Sequence, residues 1–589
     1  MASHMVCRHV VRSMLALPFY ILLFLVSLPT VAQSVSPSFG APFDFPLYLS
    51  GNFGELRSNH FHGGLDFKTQ GVVGKPLLAI ADGYISKVTV TPGGYGNALY
   101  LTHDNGYTSV HGHLDRFLPE IAELVRKKQY AEQAFAVTLE FGPDEFRFRQ
   151  GEVVAYAGNT GYSFGPHLHM EIRKTATNEP IDPLLFYKDK ITDNIAPRAT
   201  RIMVYGAPLL SPQGGKVLSV SQWENLETNE MSVEKKEPSV SSPLGGNEGG
   251  LVFYCWGRIS AAISANDYMN GTHNNYGVRY VRLYVDDRLV SSSDVDRFSF
   301  DENRLINSWT DYAEQRRSGR WYMRASIAEN NELRMLRADE QRGWVTIDEE
   351  RDYHFRYELE DLYGNRSTYR FVVRGKRMEI PCRVPSYYYL MDASRDSRFY
   401  AQGFELWMPQ GTLFDDVELD YHVMPSENDQ APIYQLSTTR IPLRRAAEIT
   451  LPTHKSESVD GSKLYVARVD GKRRTYCGGT YQYGRITANI TELGSYTVCA
   501  DTIAPKITPI GSTSWRKQGR IVCRIADAET GIRDYRGTID GRWVLFKYSS
   551  KNARFTCDLR AEGIGPGRHQ VEIKVTDMRG NVRVMSCEL

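Results

Sequence analysis

The sequence predicts a mainly β chain built from several domains, and three observations lead there. At 589 residues the chain exceeds what one hydrophobic core serves, and about four domains are expected. Short runs such as VRYVRLYVDD (278–287), YRFVVRG (369–375) and HQVEIKVTD (569–577) alternate apolar and polar residues and are rich in tyrosine, valine and arginine. Asn-Gly, Asp-Gly and Gly-Asn turns divide them, the pattern of antiparallel strands. The third observation is an internal repeat. DNIAPRATRIMVYG (193–206) returns as DTIAPKITPIG (501–511), YVRLYVDDRLV as YRGTIDGRWV, and LEDLYGNRSTYRF as VTDMRGNVRVM.

At the N-terminus Arg8 and Arg12 precede an apolar run from Met14 to Leu28, then Pro29 and the small-residue exit Thr30, Val31, Ala32. This reads as a secretory signal over residues 1–32, and no stable membrane span is expected after its removal. Secretion across the inner membrane into the periplasm or cell envelope follows, with release to the medium as the alternative.

Residues 33–190 concentrate histidine: His60, His62, His103, His111, His113, His167 and His169 are seven of the 14 in the chain. A neutral imidazole nitrogen suits Zn²⁺ and titrates near neutrality, so it serves as ligand or proton carrier. His167 and His169 are two apart and share one face of a strand, with Leu168 and Met170 on the other. Gly63 and Gly64 argue against a helix over 61–67, and in an extended segment His62 and Asp66 share a side. A carboxylate beside imidazoles makes a mixed nitrogen and oxygen site, and three protein ligands leave a fourth position for water. His60, His103 and His111 are read as structural.

The blocks FHGGLDF (61–67), GYGNALYLTHDNGYTSVHGHL (94–114) and GNTGYSFGPHLHMEIR (158–173) resemble, in this order, the motifs of the lysostaphin-type (LytM) zinc endopeptidases, which cut bacterial wall peptides. The resemblance covers roughly residues 45–187. It implies an antiparallel β catalytic domain in which His62, Asp66 and His169 bind Zn²⁺ and His113 and His167 manage protons. It further implies hydrolysis of peptidoglycan peptides, as cross-links or bridges, during wall remodelling. Departures are mild: His111 stands where a tyrosine is usual, and Met170 replaces a common phenylalanine. Two other readings stay open, a catalytically silent LytM-like regulator of another hydrolase and an extracellular binding or adhesion protein with a vestigial metal domain.

Between HGHL and GEVVAYAGNTG the span Pro119 to Phe135 reads as a short helix and Phe141 to Arg149 as a hairpin. This insertion is a candidate wall of the substrate groove, or inert surface. Gly93 to Gly96 lacks the lysine and helix of a phosphate loop and reads as a turn.

The repeat reads as two immunoglobulin-like sandwiches, 191–376 with insertions and 501–589. Gly214 to Gly250, rich in Glu, Ser, Asn and Gly, reads as a mobile loop of the first. Residues 377–500, with FELWMPQGTLFDD and GRITANITELGSYTV, form a third β unit of unassigned type. These appended domains read as spacers or as surfaces for a protein partner. Removal of Cys7 with the signal leaves seven cysteines, and their clustering permits Cys477 to pair with Cys499, or two of Cys523, Cys557 and Cys587 to pair. A net charge of +1 gives no support for nucleic-acid binding.

Overall fold

The computed structural model describes residues 38–206, 252–377, 389–426, 429–453 and 459–589, with the backbone of 231–232. The expected signal sequence, almost all of Gly214 to Gly250, Cys7 and Cys382 lie outside the described residues. The architecture is mainly β. Strands run as expected through 280–285, 366–375 and 570–577.

A nine-stranded sheet carries the histidine-rich segment. Its members are β1 (Leu49–Gly51), β2 (Leu65–Lys68), β3 (Gly83–Val90), β4 (Asn97–His103), β5 (Tyr107–Gly112), β6 (Val137–Glu140), β7 (Arg147–Phe148), β8 (His167–Lys174) and β9 (Pro180–Ile181). The order is β1-β2-β8-β5-β4-β3-β6, with β7 also on β3 and β9 on β8. A smaller sheet of 76–78, 153–156 and 116–117 accompanies it.

Alternation sorts the faces. Leu168, Met170 and Ile172 of β8 are buried in the apolar core with Leu65 and Phe67 of β2, so His167, His169 and Asp66 emerge on the other face. Register does the rest, because β8 pairs antiparallel with β2 so that His169 lies directly opposite Asp66.

The insertion forms helix α1 (Pro119–Glu132), opened by a proline in its first turn, as expected. The expected hairpin over 141–149 is corrected: β6 and β7 do not pair with each other but follow one another along β3. The eight-residue β3 offers an outer edge long enough for both, and Phe141 continues the ladder through its N–H to the Ser86 carbonyl. Helix α1 does not stand free beside the metal face. Arg126 pairs with Glu562 at 3.1 Å, Tyr130 donates to Glu562 and packs edge-on against Trp543, and Gln133 accepts from Arg536.

After residue 190 the strands make paired sheets. Residues 198–375 contribute five-stranded and six-stranded sheets, 397–500 two five-stranded sheets, and 506–588 two four-stranded sheets. One buried apolar cluster continues from Phe39 to Val373 and takes in Phe414, while other residues of 391–498 and those of 515–575 have clusters of their own. The disulfides that the clustering permits are absent among the described residues. Cys477, Cys499, Cys523, Cys557 and Cys587 are free thiols, and the Cys499 thiol instead donates to Asp429.

Candidate metal centre

Two strands and one loop bring His62, Asp66 and His169 together, Asp66 from β2, His169 from β8 and His62 from the loop ahead of β2, with one donor atom from each within 4.8 Å of the others. His62 Nε2 lies 3.1 Å from Asp66 Oδ1 and 3.0 Å from His169 Nδ1, and His169 Nδ1 lies 2.9 Å from Asp66 Oδ1. Two glycines allow this approach. A Cβ on Gly51 would stand 2.7 Å from Asp66 Oδ2, and one on Gly64 would stand 2.3 Å from the Met170 carbonyl oxygen.

The hydrogen bonds of the outer nitrogens decide what the inner ones present. His62 Nδ1 lies 2.6 Å from the Asn52 carbonyl and His169 Nε2 lies 2.9 Å from Glu171 Oε1. Both partners only accept, so both of these nitrogens carry the proton. In the neutral rings His62 Nε2 and His169 Nδ1 then turn lone pairs toward Asp66 Oδ1. Three acceptors aimed at one point repel one another unless a proton or a metal cation lies among them, and two imidazoles with one carboxylate are a donor set that fits Zn²⁺.

The electrostatics agree in sign. Burial opposes a charge on His169, but the Asp66 and Glu171 carboxylates outweigh it and push its pKa up to about 9. Burial likewise favours a neutral Asp66, yet His62 and His169 hold its carboxyl well below the usual range. This pocket is built to attract positive charge.

Glu171 was not singled out from the sequence, although the same alternation that pairs His167 with His169 places it on their face. Its buried carboxylate also accepts from the Tyr95 hydroxyl and, through Oε2, from Arg173 Nε at 2.6 Å. Burial alone would raise its pKa, but His169 and Arg173 lower it to about 2.

His113 and His167 stand beside this cluster, their ring centroids 4.8 Å apart. His113 Nδ1 donates to the Thr160 carbonyl at 2.9 Å and His167 Nδ1 to the Gly165 carbonyl at 2.8 Å, so each presents Nε2. His167 Nε2 is 3.7 Å from Asp66 Oδ1. His113 sits at φ +61°, an unfavourable backbone for a non-glycine residue, fixed by its N–H on the Tyr95 carbonyl at 2.7 Å. Burial, with His169 and His167 nearby, lowers its pKa to about 3.

The remaining histidines lie apart from the centre. His103 bonds the Ala81 carbonyl and Ser109, His60 lies at the surface, and His111 faces the core opposite Met170 and Leu99. The loop ahead of His167 carries Tyr162 and Phe164, 61% and 86% exposed and packed edge to face. Lys551 of the last β segment grips this loop through Asn159 and the Ser163 carbonyl.

Comparison with known proteins agrees with this geometry. A Peptidase family M23 model matches residues 60–133, and a Zu5-like domain model matches 388–501, the β unit left unassigned above. An uncharacterized metalloprotease of Haemophilus influenzae is 34% identical over 110 residues, 19% of this chain and 18% of the relative. The DD-carboxypeptidase/endopeptidase Mpg of Neisseria meningitidis serogroup B is 33% identical over 129 residues, 22% of this chain and 23% of the relative. The chain thus spans less than a quarter of the length of these relatives. Among solved structures, a zinc containing peptidase from Vibrio cholerae aligns with TM-score 0.19 and 27% identity over 25% of this chain and 39% of that one. The first third of the chain therefore contains a lysostaphin-type (LytM-type) domain of peptidase family M23.

Proposed function

We propose that the protein is a zinc-dependent endopeptidase that hydrolyses peptidoglycan peptides in the cell envelope. In this reading His62, Asp66 and His169 hold the metal, and His113 and His167 move protons. The observation that carries it is the convergence of His62 Nε2, His169 Nδ1 and Asp66 Oδ1, with the far nitrogen of each ring committed to donating to an acceptor behind it. Three protein donors leave a fourth tetrahedral position, the hallmark of catalytic rather than closed zinc sites. The bound ion would polarise a scissile carbonyl and make water nucleophilic near neutral pH.

The chain's own residues supply the rest. His113, kept neutral by burial, accepts a hydrogen bond through Nε2 from water and orients it. His167, across from it, takes the proton that the attacking water releases at Nε2 and passes it to the leaving amine. Tyr162 and Phe164 offer an exposed apolar ledge on which a stem peptide can lie.

The printed names of the relatives favour peptidoglycan. They include a DD-carboxypeptidase/endopeptidase, a peptidoglycan DD-endopeptidase of Vibrio cholerae and a glycyl-glycine endopeptidase of Staphylococcus capitis. Two bond types are represented, so the proposal stops at wall peptides. The sequence of residues 1–32 supports secretion, and among the described residues no helix is long and apolar enough to cross a membrane.

For the appended segments we read domains at 191–376, 377–500 and 501–589, the first and last immunoglobulin-like, and their contacts favour bracing of the catalytic unit. Asn303 accepts from the Phe61 N–H beside His62, and Lys551 holds the loop that leads to His167.

The test is digestion of cross-linked sacculi by the purified full chain, scored for newly freed amines. Release that stops with chelator and returns with zinc is expected. Sacculi bound but left intact would contradict the proposal.

A further inference from the structure

A second cluster of acidic groups lies away from the histidines. Asp193, Asp267 and Asp361 each offer a carboxylate oxygen, all within 4.8 Å of one another. They are only 7%, 2% and 2% exposed. Among the described residues no lysine, arginine or histidine forms an ion pair with any of them. The nearest arginine on the same cavity, Arg279, is engaged by Asp182 at 3.0 Å and Asp294 at 2.8 Å. Three buried like charges without a counter-charge are unfavourable, so the cluster must take up protons or a cation.

Two further observations favour the cation. Asp267 Oδ1 is buried with no hydrogen-bond partner, Asp193 Oδ2 receives no donor from outside the cluster and meets only the Asp361 carboxylate, and both carboxylates line one cavity with Asp361, Asn52 and Tyr363. The internal repeat provides the comparison. Asp501, Asp527 and Asp577 form the corresponding cluster in the last domain. The shared frame is the same in both: Ile195 N–H donates to Asp193 and Ile503 N–H to Asp501, while Asn365 closes on Asp361 as Asn581 closes on Asp577. In the last domain the protein itself satisfies the carboxylates. Thr530 donates its hydroxyl to Asp501 Oδ2, and Asp527 Oδ1 accepts three backbone N–H groups. In the 191–376 segment no hydroxyl reaches Asp193 Oδ2, which meets only the Asp361 carboxylate, and Asp267 Oδ1 has no partner.

We propose that Asp193, Asp267 and Asp361 bind a hard divalent cation, Ca²⁺ or Mg²⁺, at the junction between the 191–376 segment and the catalytic domain. An all-oxygen donor set selects such ions over Zn²⁺. The location gives the ion a structural task. Asn52, on the same cavity, is tied to Gly277 by two hydrogen bonds, and its carbonyl holds His62. The Asp267–Tyr276 bridge likewise clamps β1, because the Tyr276 hydroxyl donates to the Leu49 carbonyl.

The test uses the zinc-loaded full chain, stripped of other cations and titrated separately with CaCl₂ and MgCl₂ by calorimetry and thermal melting. One equivalent bound, with a rise in apparent Tm, is expected for one of the two ions, and which arm responds identifies it. Asp267→Asn and Asp193→Asn should each weaken binding at least tenfold, while Asp527→Asn should leave it unchanged. Asp66→Ala should lose zinc yet keep this response, so failure of the catalytic reading leaves the second site testable. No binding of either ion, or unchanged binding in folded Asp267→Asn and Asp193→Asn, would overturn the proposal.

Discussion

Glu171 accepts the hydrogen bond of His169 Nε2 at 2.9 Å, and that bond is what turns His169 Nδ1 toward Asp66. The ligating nitrogen is chosen by a residue that does not touch the metal position. Tyr95 and Arg173 in turn hold Glu171, so a chain of buried polar groups runs from the strand to the site.

Glu171→Gln should therefore lower zinc affinity by roughly 10- to 100-fold while the fold persists. Competition with a zinc-binding dye measures this. Unchanged affinity would show that His169 is oriented by packing alone.

His113→Ala and His167→Ala should each retain zinc and cut turnover by roughly 100- to 10,000-fold, the range of general acid and base groups. Metal content and kcat on a soluble cross-linked muropeptide are the readouts. Zinc loss equal to that of Asp66→Ala would make these histidines ligands instead.

The legible part of this protein was the part set by period two. Alternation in HLHMEIR placed His167 and His169 on one face, and the same rule reaches Glu171 and Arg173 when carried two residues further. Tyr95 was out of reach, because its partner Glu171 is 76 residues away and only the strand order joins them. The tautomers also escaped reading, since they depend on the Asn52, Thr160 and Gly165 carbonyls, which any residue type supplies. The hairpin over 141–149 failed for a related reason: Gly142 and Pro143 do signal a turn, but the free edge of β3 captured both arms. The repeat was visible as text, whereas the difference between its two aspartate clusters lay in hydrogen bonds that no motif records.

Tyr162→Ala and Phe164→Ala should raise KM by roughly 2- to 10-fold each with kcat nearly unchanged, as expected for side chains that add stacking area without touching the reacting bond. Steady-state kinetics on muropeptides of two lengths check it. A matching fall in kcat would place this ledge in transition-state binding.

Acid should destabilise the fold through its buried neutral histidines. Burial lowers the folded pKa of His103 from 6.5 to about 4, so between those values the unfolded chain binds a proton that the folded chain does not. Its contribution is complete above pH 6.5 and is lost as pH falls toward 4. His111, lowered by burial to about 3, acts in the same direction. Apparent Tm should fall across this window, and the slope should be shallower in His103→Gln. Parallel slopes would remove His103 as a cause.

The most direct test of the central claim is titration of metal-free full chain with zinc while hydrolysis of cross-linked muropeptide is followed. Activity should rise from zero and break at one equivalent, and Asp66→Ala should show neither tight binding nor activity. Hydrolysis by the metal-free chain, or by Asp66→Ala at the wild-type rate, would contradict the account.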